Sequence, residues 1–317
     1  MYKGFFIRGR IAPLLIHGAL LVLVLGVLCT PLPGEGGPPG QDRQDFTSRL
    51  PQRLISLAPS ITEILYFLEL GDKVVGVTSY CNYPAEVKEK PRVGTYWEYN
   101  LEAILALKPD LALVMADQAE GESSLAGLRH WGIPVYRAQA DTLPQLFQTI
   151  EDIARLTGQE EVARRRLPKL KARVHRVEAA VHGLPRLRVF LQIDEEPLIT
   201  AGRAAVHHDL IQRAGGLNIA GFLEPRYPIF SLEEVLKAQP QVILFTSMVG
   251  EQALPGRLAF WRRWPMLPAV AEGRLHWVDP DLIDRPGPRL VDGLELLARL
   301  FHPETAGGVS PESRAMK

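Results

Sequence analysis

The sequence predicts an α/β protein made of two αβ lobes with mainly parallel sheets, joined by one long backbone helix. Three observations predict this fold. Short β-rich runs alternate with helical patterns along most of the chain, which is typical of parallel βα units. Residues 159–183 lack any strand pattern, and one sequence unit occurs once in each half. The chain has 317 residues, 46% of them hydrophobic, which is long enough to bury a core in each lobe.

Charge and cysteine content narrow the classes of function. The 36 Lys and Arg residues balance 36 Asp and Glu residues, and a net charge of zero disfavours a nucleic-acid binder held by phosphate contacts. Cys29 and Cys81 are too few for a disulfide framework or a cysteine-based zinc site.

The N-terminus has the pattern of an export signal. Lys3, Arg8 and Arg10 precede an apolar stretch at 11–28, and Cys29 stands at the end of that stretch. Cleavage, retention as an anchor and lipidation at Cys29 all remain open. Each alternative places the rest of the chain in the periplasm or on the outer face of the cytoplasmic membrane.

Composition and pattern divide the chain into six parts. These are a signal peptide or anchor at 1–30, a flexible Pro/Gly-rich linker at 31–52, an N-terminal αβ lobe at 53–158, the connecting helix at 159–183, a C-terminal αβ lobe at 184–303 and a disordered tail at 304–317.

Short apolar runs predict the strands, and several are continuously apolar, as in strands covered on both faces. The predicted strands are Arg53–Leu57, Val74–Val77, Asp110–Met115, Val135–Ala138, Arg188–Ile193, Gln241–Thr246 and Leu275–Val278. The pattern Ser60–Glu63 is typical of a capping box and predicts a helix that ends at Gly71.

The connecting helix is predicted by apolar residues at helical spacing. They are Ala163, Leu167, Leu170, Val174, Val177 and Val181. The other face is basic, which favours a solvated surface over a nucleic-acid or membrane contact in a neutral protein. Pro168 predicts a kink or a late helix start. A helix of about 30 Å would act as a stiff strut between the lobes.

The repeated unit is Asn100–Leu111, which recurs as Ser231–Val242. Each copy has an N-cap residue, a short amphipathic helix, a proline and a buried strand. We expect one copy in each lobe and an approximate two-fold relation between the lobes.

Motifs for catalysis are missing from the body of the sequence, which contains no phosphate-binding glycine loop, nucleophile elbow or zinc-protease motif. The sequence therefore predicts no enzyme. His207 and His208 are adjacent and are not expected to share a metal, although a zinc receptor in which distant histidines converge remains an alternative. A membrane-tethered enzyme or sensor on a binding-protein scaffold is a further alternative.

Aromatic residues cluster in two loops that follow strands. The first cluster contains Tyr80, Tyr83, Tyr96, Trp97 and Tyr99, and the second contains Phe222, Tyr227 and Phe230. Rings on loops beside strand ends predict a pocket for a flat ligand.

Several segments resemble the periplasmic cobalamin-binding proteins, in the order in which that family has them. They are Arg53–Glu63, Gly76–Pro84, Val93–Tyr96, Asn100–Asp110, Arg188–Gln192, Thr200–Gly202, Ala214–Asn218 and Asp284–Arg289. These proteins are substrate-binding components of ABC importers. They belong to the helical-backbone class (class III periplasmic binding proteins), shared with siderophore and heme binders. The resemblance extends over residues 53–300.

This resemblance implies a monomeric receptor that delivers cobalamin or a related corrinoid to an ABC permease dimer with its ATPase subunits. Cobalamin would be the transported ligand and not a catalytic cofactor. A siderophore or heme receptor is the alternative, and Arg226, Arg285 and Arg289 would suit its anionic ligands.

The resemblance also implies roles for individual residues. The implied ligand-binding residues are Tyr80, Tyr96, Trp97, Tyr227, Asp281, Leu282, Ile283, Asp284 and Arg285. Glu102 and Glu233 match the paired surface glutamates that dock onto permease arginines. Met115 and the pair Leu282–Ile283 stand where the family is more aromatic. For Cys81 we expect packing and not coordination of cobalt.

Overall fold

The computed structural model describes residues 49–116, 122–246, 252 and 254–307, all of which belong to one compact unit. The predicted leader at 1–30, including Cys29, lies outside the described residues. Within the described ranges, no helix combines the length and the apolar character needed to cross a membrane.

The N-terminal lobe contains a parallel sheet in the order β2-β1-β3-β4. Its strands are β1 (Leu54–Ser56), β2 (Val74–Val77), β3 (Leu111–Met115) and β4 (Val135–Ala138). Its helices are α1 (Pro59–Phe67), α2 (Leu101–Ala106), α3 (Glu122–His130) and α4 (Leu143–Thr157), with 3-10 turns at Gly71–Lys73 and Ala85–Glu89.

Helix α5 (Glu160–Val181) leads to the C-terminal lobe, whose parallel sheet has the order β10-β9-β5-β8. Its strands are β5 (Leu187–Gln192), β8 (Gly216–Asn218), β9 (Val242–Phe245) and β10 (Leu275–Trp277), and β6 (Asp194–Glu195) forms a small hairpin with β7 (Leu198–Ile199). Its helices are α6 (Val206–Arg213), α7 (Leu232–Ala238), α8 (Leu254–Trp261), α9 (Pro268–Ala271), α10 (Pro280–Ile283) and α11 (Leu290–Phe301).

The two sheets have the same topology. In each lobe the main strands, counted along the chain, are arranged second-first-third-fourth. The repeated unit precedes the third strand of each sheet, as α2 before β3 and α7 before β9. The side chains of Asn100 and Ser231 cap these helices, accepting hydrogen bonds from the backbone N–H of Ala103 and Glu234. The predicted duplication is therefore present in the fold.

Alternation along the strands divides the apolar residues between an inner and an outer core. Leu111 and Leu113 face a core that extends through both lobes, whereas Ala112 and Val114 face a cluster confined to the N-terminal lobe. Strand β9 repeats the pattern, with Ile243 and Phe245 in a cluster of the C-terminal lobe. Because the inner core is shared, neither lobe has a complete core of its own.

Helix α5 buries the apolar residues that its periodicity predicted. It begins at Glu160, well before Pro168, so the late start that we allowed for is wrong. Its basic face forms ion pairs with acids on three neighbouring elements. The pairs are Arg165 and Arg166 with Glu69, Lys171 with Glu151 of α4, and Arg173 with Asp292 and Glu295 of α11. This basic face thus attaches the strut to both lobes.

The predicted capping box in α1 is wrong. The helix starts at Pro59, with Ala58 as N-cap and no side-chain hydrogen bond at the cap. Proline is favourable at the first helical position because its fixed φ suits the helix and its missing N–H would be unpaired there. Glu63 is therefore inside the helix and is available for a different contact.

Short elements at the edges also differ from the prediction. Strand β8 and the hairpin were missed because they have only two or three residues each, without an apolar run. Gln52, in the predicted linker, donates a backbone hydrogen bond to Asp110 at 2.7 Å. Pro303–Gly307 forms a 3-10 turn where the predicted tail begins, and the rest of that tail lies outside the described residues.

Candidate ligand-binding site

Loops at the carboxyl ends of the parallel strands meet between the two lobes. The loop after β2 brings Asn82 to the segment after β10, where its side-chain amide nitrogen donates to Asp281 Oδ2 at 3.0 Å. The amide oxygen of Asn82 accepts a hydrogen bond from Arg285. Ligands of open parallel sheets bind at this end of the strands. The candidate site is therefore where the fold class leads us to expect a ligand.

A second contact joins the lobes at the other edge of the sheets. Asp141, after β4, forms an ion pair with Arg226, in the loop after β8. The backbone N–H of Leu143 donates to Asp209 Oδ2 of α6 at 2.8 Å. The contacts of Asn82 and of Asp141 thus lie at opposite edges of the two sheets, on either side of the strand ends that face each other.

The two aromatic loops occupy equivalent places in the two lobes, each between the second strand and the helix of the repeated unit. Tyr80, Trp97 and Tyr227 expose 39%, 57% and 48% of their surfaces. Trp97 stands edge-on to Tyr96, with ring centroids 4.8 Å apart. Tyr99, in contrast, is buried in the outer cluster of the N-terminal lobe. Four of the predicted ligand-binding residues thus present rings from two corresponding loops.

The segment Asp281–Arg285 divides into two groups. Asp281 and Arg285 face the N-terminal lobe and form an ion pair, in which Arg285 Nη2 lies 2.8 Å from Asp281 Oδ1. Asp284 turns into the C-terminal lobe, where it lies 2.9 Å from His207 Nε2 and accepts from Thr246 Oγ1 at 2.8 Å. Ile283 is buried in the shared core, and Leu282 packs against that core. Contacts of these residues with a ligand stay predictions.

Sequence reasoning missed a buried ion pair beside this segment. The carboxylate of Glu63 accepts two hydrogen bonds from Arg289, at 2.6 and 3.1 Å. The guanidinium of Arg289 also stacks on the ring of Tyr83, 4.2 Å from its centroid. Burial raises the pKa of Glu63, and Arg289 opposes that shift. The available sequence clue was a carboxylate within the apolar run of α1.

Cys81 and the adjacent histidines have local partners. The Sγ atom of buried Cys81 lies 3.1 and 3.2 Å from the hydroxyls of Thr62 and Thr78. His207 contacts Asp284, whereas His208 lies 3.4 Å from the side-chain amide of Asn218. In the part of the chain that the structure describes, no group of three or more His, Cys, Asp or Glu could hold a metal ion.

Glu102 and Glu233 are exposed in the first turns of α2 and α7. Among the described residues, neither forms an ion pair. The neighbouring Glu234 is used differently, because its carboxylate accepts hydrogen bonds from the backbone and the hydroxyl of Ser231, which lower its pKa. The capping box therefore leaves Glu233, and not Glu234, available at the equivalent position of the second lobe.

The fold is that of an extracytoplasmic substrate-binding protein, and comparison with known proteins gives the family. Residues 54–282 match the profile of the periplasmic binding protein family. The chain belongs to that family, whose role in transport is substrate binding.

Three relatives illustrate the range of the family. The vitamin B12-binding protein of Vibrio cholerae is 35% identical over 245 residues, 77% of this chain and 87% of that protein. Its crystal structure aligns with a TM-score of 0.72, over 81% of this chain and 98% of that one. An uncharacterised ABC transporter substrate-binding lipoprotein of Bacillus subtilis is 31% identical over 83% of this chain and 84% of its own length. A periplasmic heme-binding protein of Roseiflexus is 26% identical, with a TM-score of 0.71 over 80% of this chain and 99% of that one. The class III fold expected from the sequence is confirmed.

Proposed function

We propose that this protein captures cobalamin or a related corrinoid outside the cytoplasmic membrane and delivers it to an ABC transporter permease. One observation carries the choice of ligand, namely the position of the Asn82 carboxamide between Asp281 and Arg285. The similarity to the vitamin B12-binding protein of Vibrio cholerae supports the same choice.

A primary carboxamide suits this pair of residues because it both donates and accepts hydrogen bonds. The amide nitrogen of Asn82 donates to Asp281, and its oxygen accepts from Arg285. The rim of a corrin ring carries several primary amides, any of which offers the same two groups. A ligand carboxylate would instead place its charge against Asp281 and offer that residue no donor, a mismatch that typically costs about 1–3 kcal/mol.

The exposed rings of Tyr80, Trp97 and Tyr227 supply the apolar area that a flat macrocycle needs. Their loops come from both lobes, so the ligand would be held between them. The shared core and the strut α5 limit hinge motion, and we expect binding with little closure.

A siderophore or heme receptor is the second candidate, and the similarity to a heme-binding protein supports it. The cations that would receive an anionic ligand are paired within the chain. Arg226 is paired with Asp141, Arg285 with Asp281 and Arg289 with Glu63. These pairs offset the positive charge of the site and favour a ligand of neutral amides.

Titration calorimetry of the purified protein with cyanocobalamin, heme, a ferric siderophore and zinc tests the ligand class. We expect one-to-one binding of cyanocobalamin, weakened in Arg285→Gln and unchanged in the surface control Arg155→Gln. Hydrolysis of single corrin amides converts cyanocobalamin into a set of monocarboxylic acids. One of these acids should bind the wild-type protein more weakly than cyanocobalamin does, and Asp281→Asn should restore its affinity. Binding of heme or siderophore without cyanocobalamin would discard the corrinoid and keep the transport role.

The permease would dock on Glu102 and Glu233, one on each lobe. Two acids on equivalent helices suit a permease made of two copies of one subunit, with arginines facing each glutamate. In Glu102→Arg with Glu233→Arg we expect unchanged cyanocobalamin affinity and loss of uptake in cells. Loss of affinity in this double variant would contradict the docking assignment.

Export remains part of the proposal, with cleavage, anchoring or lipidation at Cys29 as its three forms. The Bacillus subtilis lipoprotein supports the lipidated form. Mass spectrometry of the protein from whole native cells distinguishes the three, because each leaves a different N-terminus.

A further inference from the structure

A small polar cluster joins the lobes beside the candidate site, and we call it the interlobe clasp. It comprises Glu63, Asn82 and Tyr83 of the N-terminal lobe and Asp281, Arg285, Gly287 and Arg289 of the C-terminal lobe. Asn82 and Tyr83 belong to Ser79–Pro84, and Arg285, Gly287 and Arg289 belong to Asp284–Arg289. These two segments carry much of the sequence resemblance to cobalamin-binding proteins. Contact with a ligand alone does not explain this resemblance, because residues of the two segments also contact each other across the lobes. Asn82 contacts Arg285, and Tyr83 contacts Arg289.

The centre of the clasp is the ion pair between Glu63 and Arg289. The Glu63 side chain is 2% exposed and the Arg289 side chain 17%. A buried carboxylate is tolerated only with a well-placed partner, and Arg289 supplies two hydrogen bonds to it. Because Glu63 lies on α1 and Arg289 precedes α11, this pair joins the two lobes at this edge.

Gly287 allows the two halves to approach closely. A Cβ atom at this position would lie 3.0 Å from Glu63 Oε2 and 3.3 Å from Glu63 Cβ. Pro286 and Pro288 restrict the backbone on either side. The chain from Arg285 to Arg289 therefore runs directly against the buried carboxylate.

Arg289 connects this buried pair to the residues proposed to hold the ligand. Its Nη2 atom lies 3.6 Å from Asp281 Oδ2, and its guanidinium covers the ring of Tyr83. Tyr83 is on the same loop as Tyr80, and Asp281 is bonded to Arg285. Arg289 thus connects the segment Asp281–Arg285 of the C-terminal lobe to the aromatic loop of the N-terminal lobe.

We propose that Glu63 is a positioning residue for ligand binding, which acts through Arg289 to hold Asp281 and Arg285 at a fixed spacing from Tyr80. Glu63 is buried behind these residues and does not touch the ligand. The proposal rests on the proposed function for its effect on affinity. Its effect on lobe spacing is independent of the ligand's identity.

The test uses the full-length protein with spin labels at Lys88→Cys and Arg262→Cys, exposed positions on opposite lobes, in a Cys29→Ser background. Lobe spacing is measured by double electron–electron resonance and cyanocobalamin affinity by titration. In Glu63→Gln we expect a broader distance distribution. If the broader ensemble holds the binding spacing about one tenth of the time, the apparent Kd rises about tenfold. Glu63→Asp, which keeps the charge, should restore part of the narrow distance distribution and part of the affinity.

Arg257→Gln is the matched control, because it removes a buried cation whose partners, the carbonyls of Thr246 and Ile193 and the carboxylate of Glu195, lie within the C-terminal lobe. It should lower stability without altering spacing or affinity. Gly287→Ala is the second variant, which keeps both charges and pushes the segment away from Glu63, and it replaces Glu63→Gln should that variant not fold.

Unchanged spacing in Glu63→Gln and Gly287→Ala would overturn the proposal, as would equal changes in Arg257→Gln. Failure of the wild-type protein to bind cyanocobalamin would reject the proposed ligand. The distance measurements would still show whether Glu63 holds the spacing between the lobes.

Discussion

Charged residues between the lobes show how single side chains determine the chemistry of the candidate site. Asp281 contacts Asn82, Arg285 and Arg289, and Glu63 contacts Arg289. Each of these charges has an opposite partner, so the interlobe region is polar without a large excess of either sign. This pairing is the physical reason for preferring a neutral, amide-bearing ligand over an anionic one.

Titration of two histidines should make stability depend on pH. Burial lowers the pKa of His208 and of His276 below 6.5, with further contributions from Arg203 and Arg274, while Asp209 opposes the shift of His208. The unfolded chain therefore binds more protons just below this pH than the folded chain does. Stability from these groups is present above 6.5 and is lost as the pH falls through their folded pKa values.

We expect the Tm to fall on acidification from about pH 7.5 to about 5.5, and to fall less in His208→Gln and His276→Gln. Thermal unfolding followed by circular dichroism measures this, with His175→Gln on the exposed face of α5 as the control. An identical acid dependence in all four proteins would show that other groups carry it.

At the scale of elements, the strut α5 is held by charge on one face and by apolar packing on the other. The apolar face is continuous with the shared core, and the basic face reaches acids on α4, α11 and the loop after α1. The same helix therefore contacts both lobes along its length, and we expect it to restrict their relative motion.

Arg173→Gln should destabilise the protein, because it leaves Glu295 nearly buried without its cation. We expect a loss of about 2–3 kcal/mol, below the value for a fully buried pair because Arg173 is partly exposed. Urea unfolding measures it, with the exposed Lys169→Gln on the same helix as the control. An effect no larger than that of Lys169→Gln would mean that the pair adds little to stability.

The caps of the repeated unit give a second prediction at this scale. Asn100→Ala and Ser231→Ala each remove a side-chain acceptor from a helix N-terminus, at an expected cost of about 1 kcal/mol. The caps lie in different lobes, so the free energies of unfolding should add in the double variant. Clear non-additivity would indicate that the two helices are coupled.

At the scale of the whole molecule, one core serves two sheets. The inner faces of both sheets and the buried residues of α4, α5 and α11 belong to the same apolar core, whereas the two outer clusters each belong to one lobe. Separating the lobes would expose apolar surface from both. Ligand binding between lobes of this kind is expected to need small adjustments and not a wide opening.

We therefore expect a single cooperative unfolding transition, although the chain has two lobes. Calorimetry should give equal calorimetric and van't Hoff enthalpies. Two resolved transitions, or a stable fragment ending near residue 158, would show that the N-terminal lobe folds independently.

Local pattern determined much of this protein. Strands Val74–Val77 and Val135–Ala138 are observed at their predicted bounds, and the buried face of α5 matches its predicted periodicity. The repeated unit was visible because an N-cap, an apolar face and a proline are all close in sequence. These features report burial and backbone conformation, which neighbouring residues largely decide.

Tertiary structure alone decided the partners of the charged residues. Ser60–Glu63 satisfied the local rule for a capping box, yet Pro59 starts the helix and Glu63 pairs with Arg289, 226 residues away. Asn82 and its partner Asp281 are likewise far apart in sequence, by 199 residues. Periodicity cannot predict such pairs, because they depend on how two lobes meet across a core that both of them build.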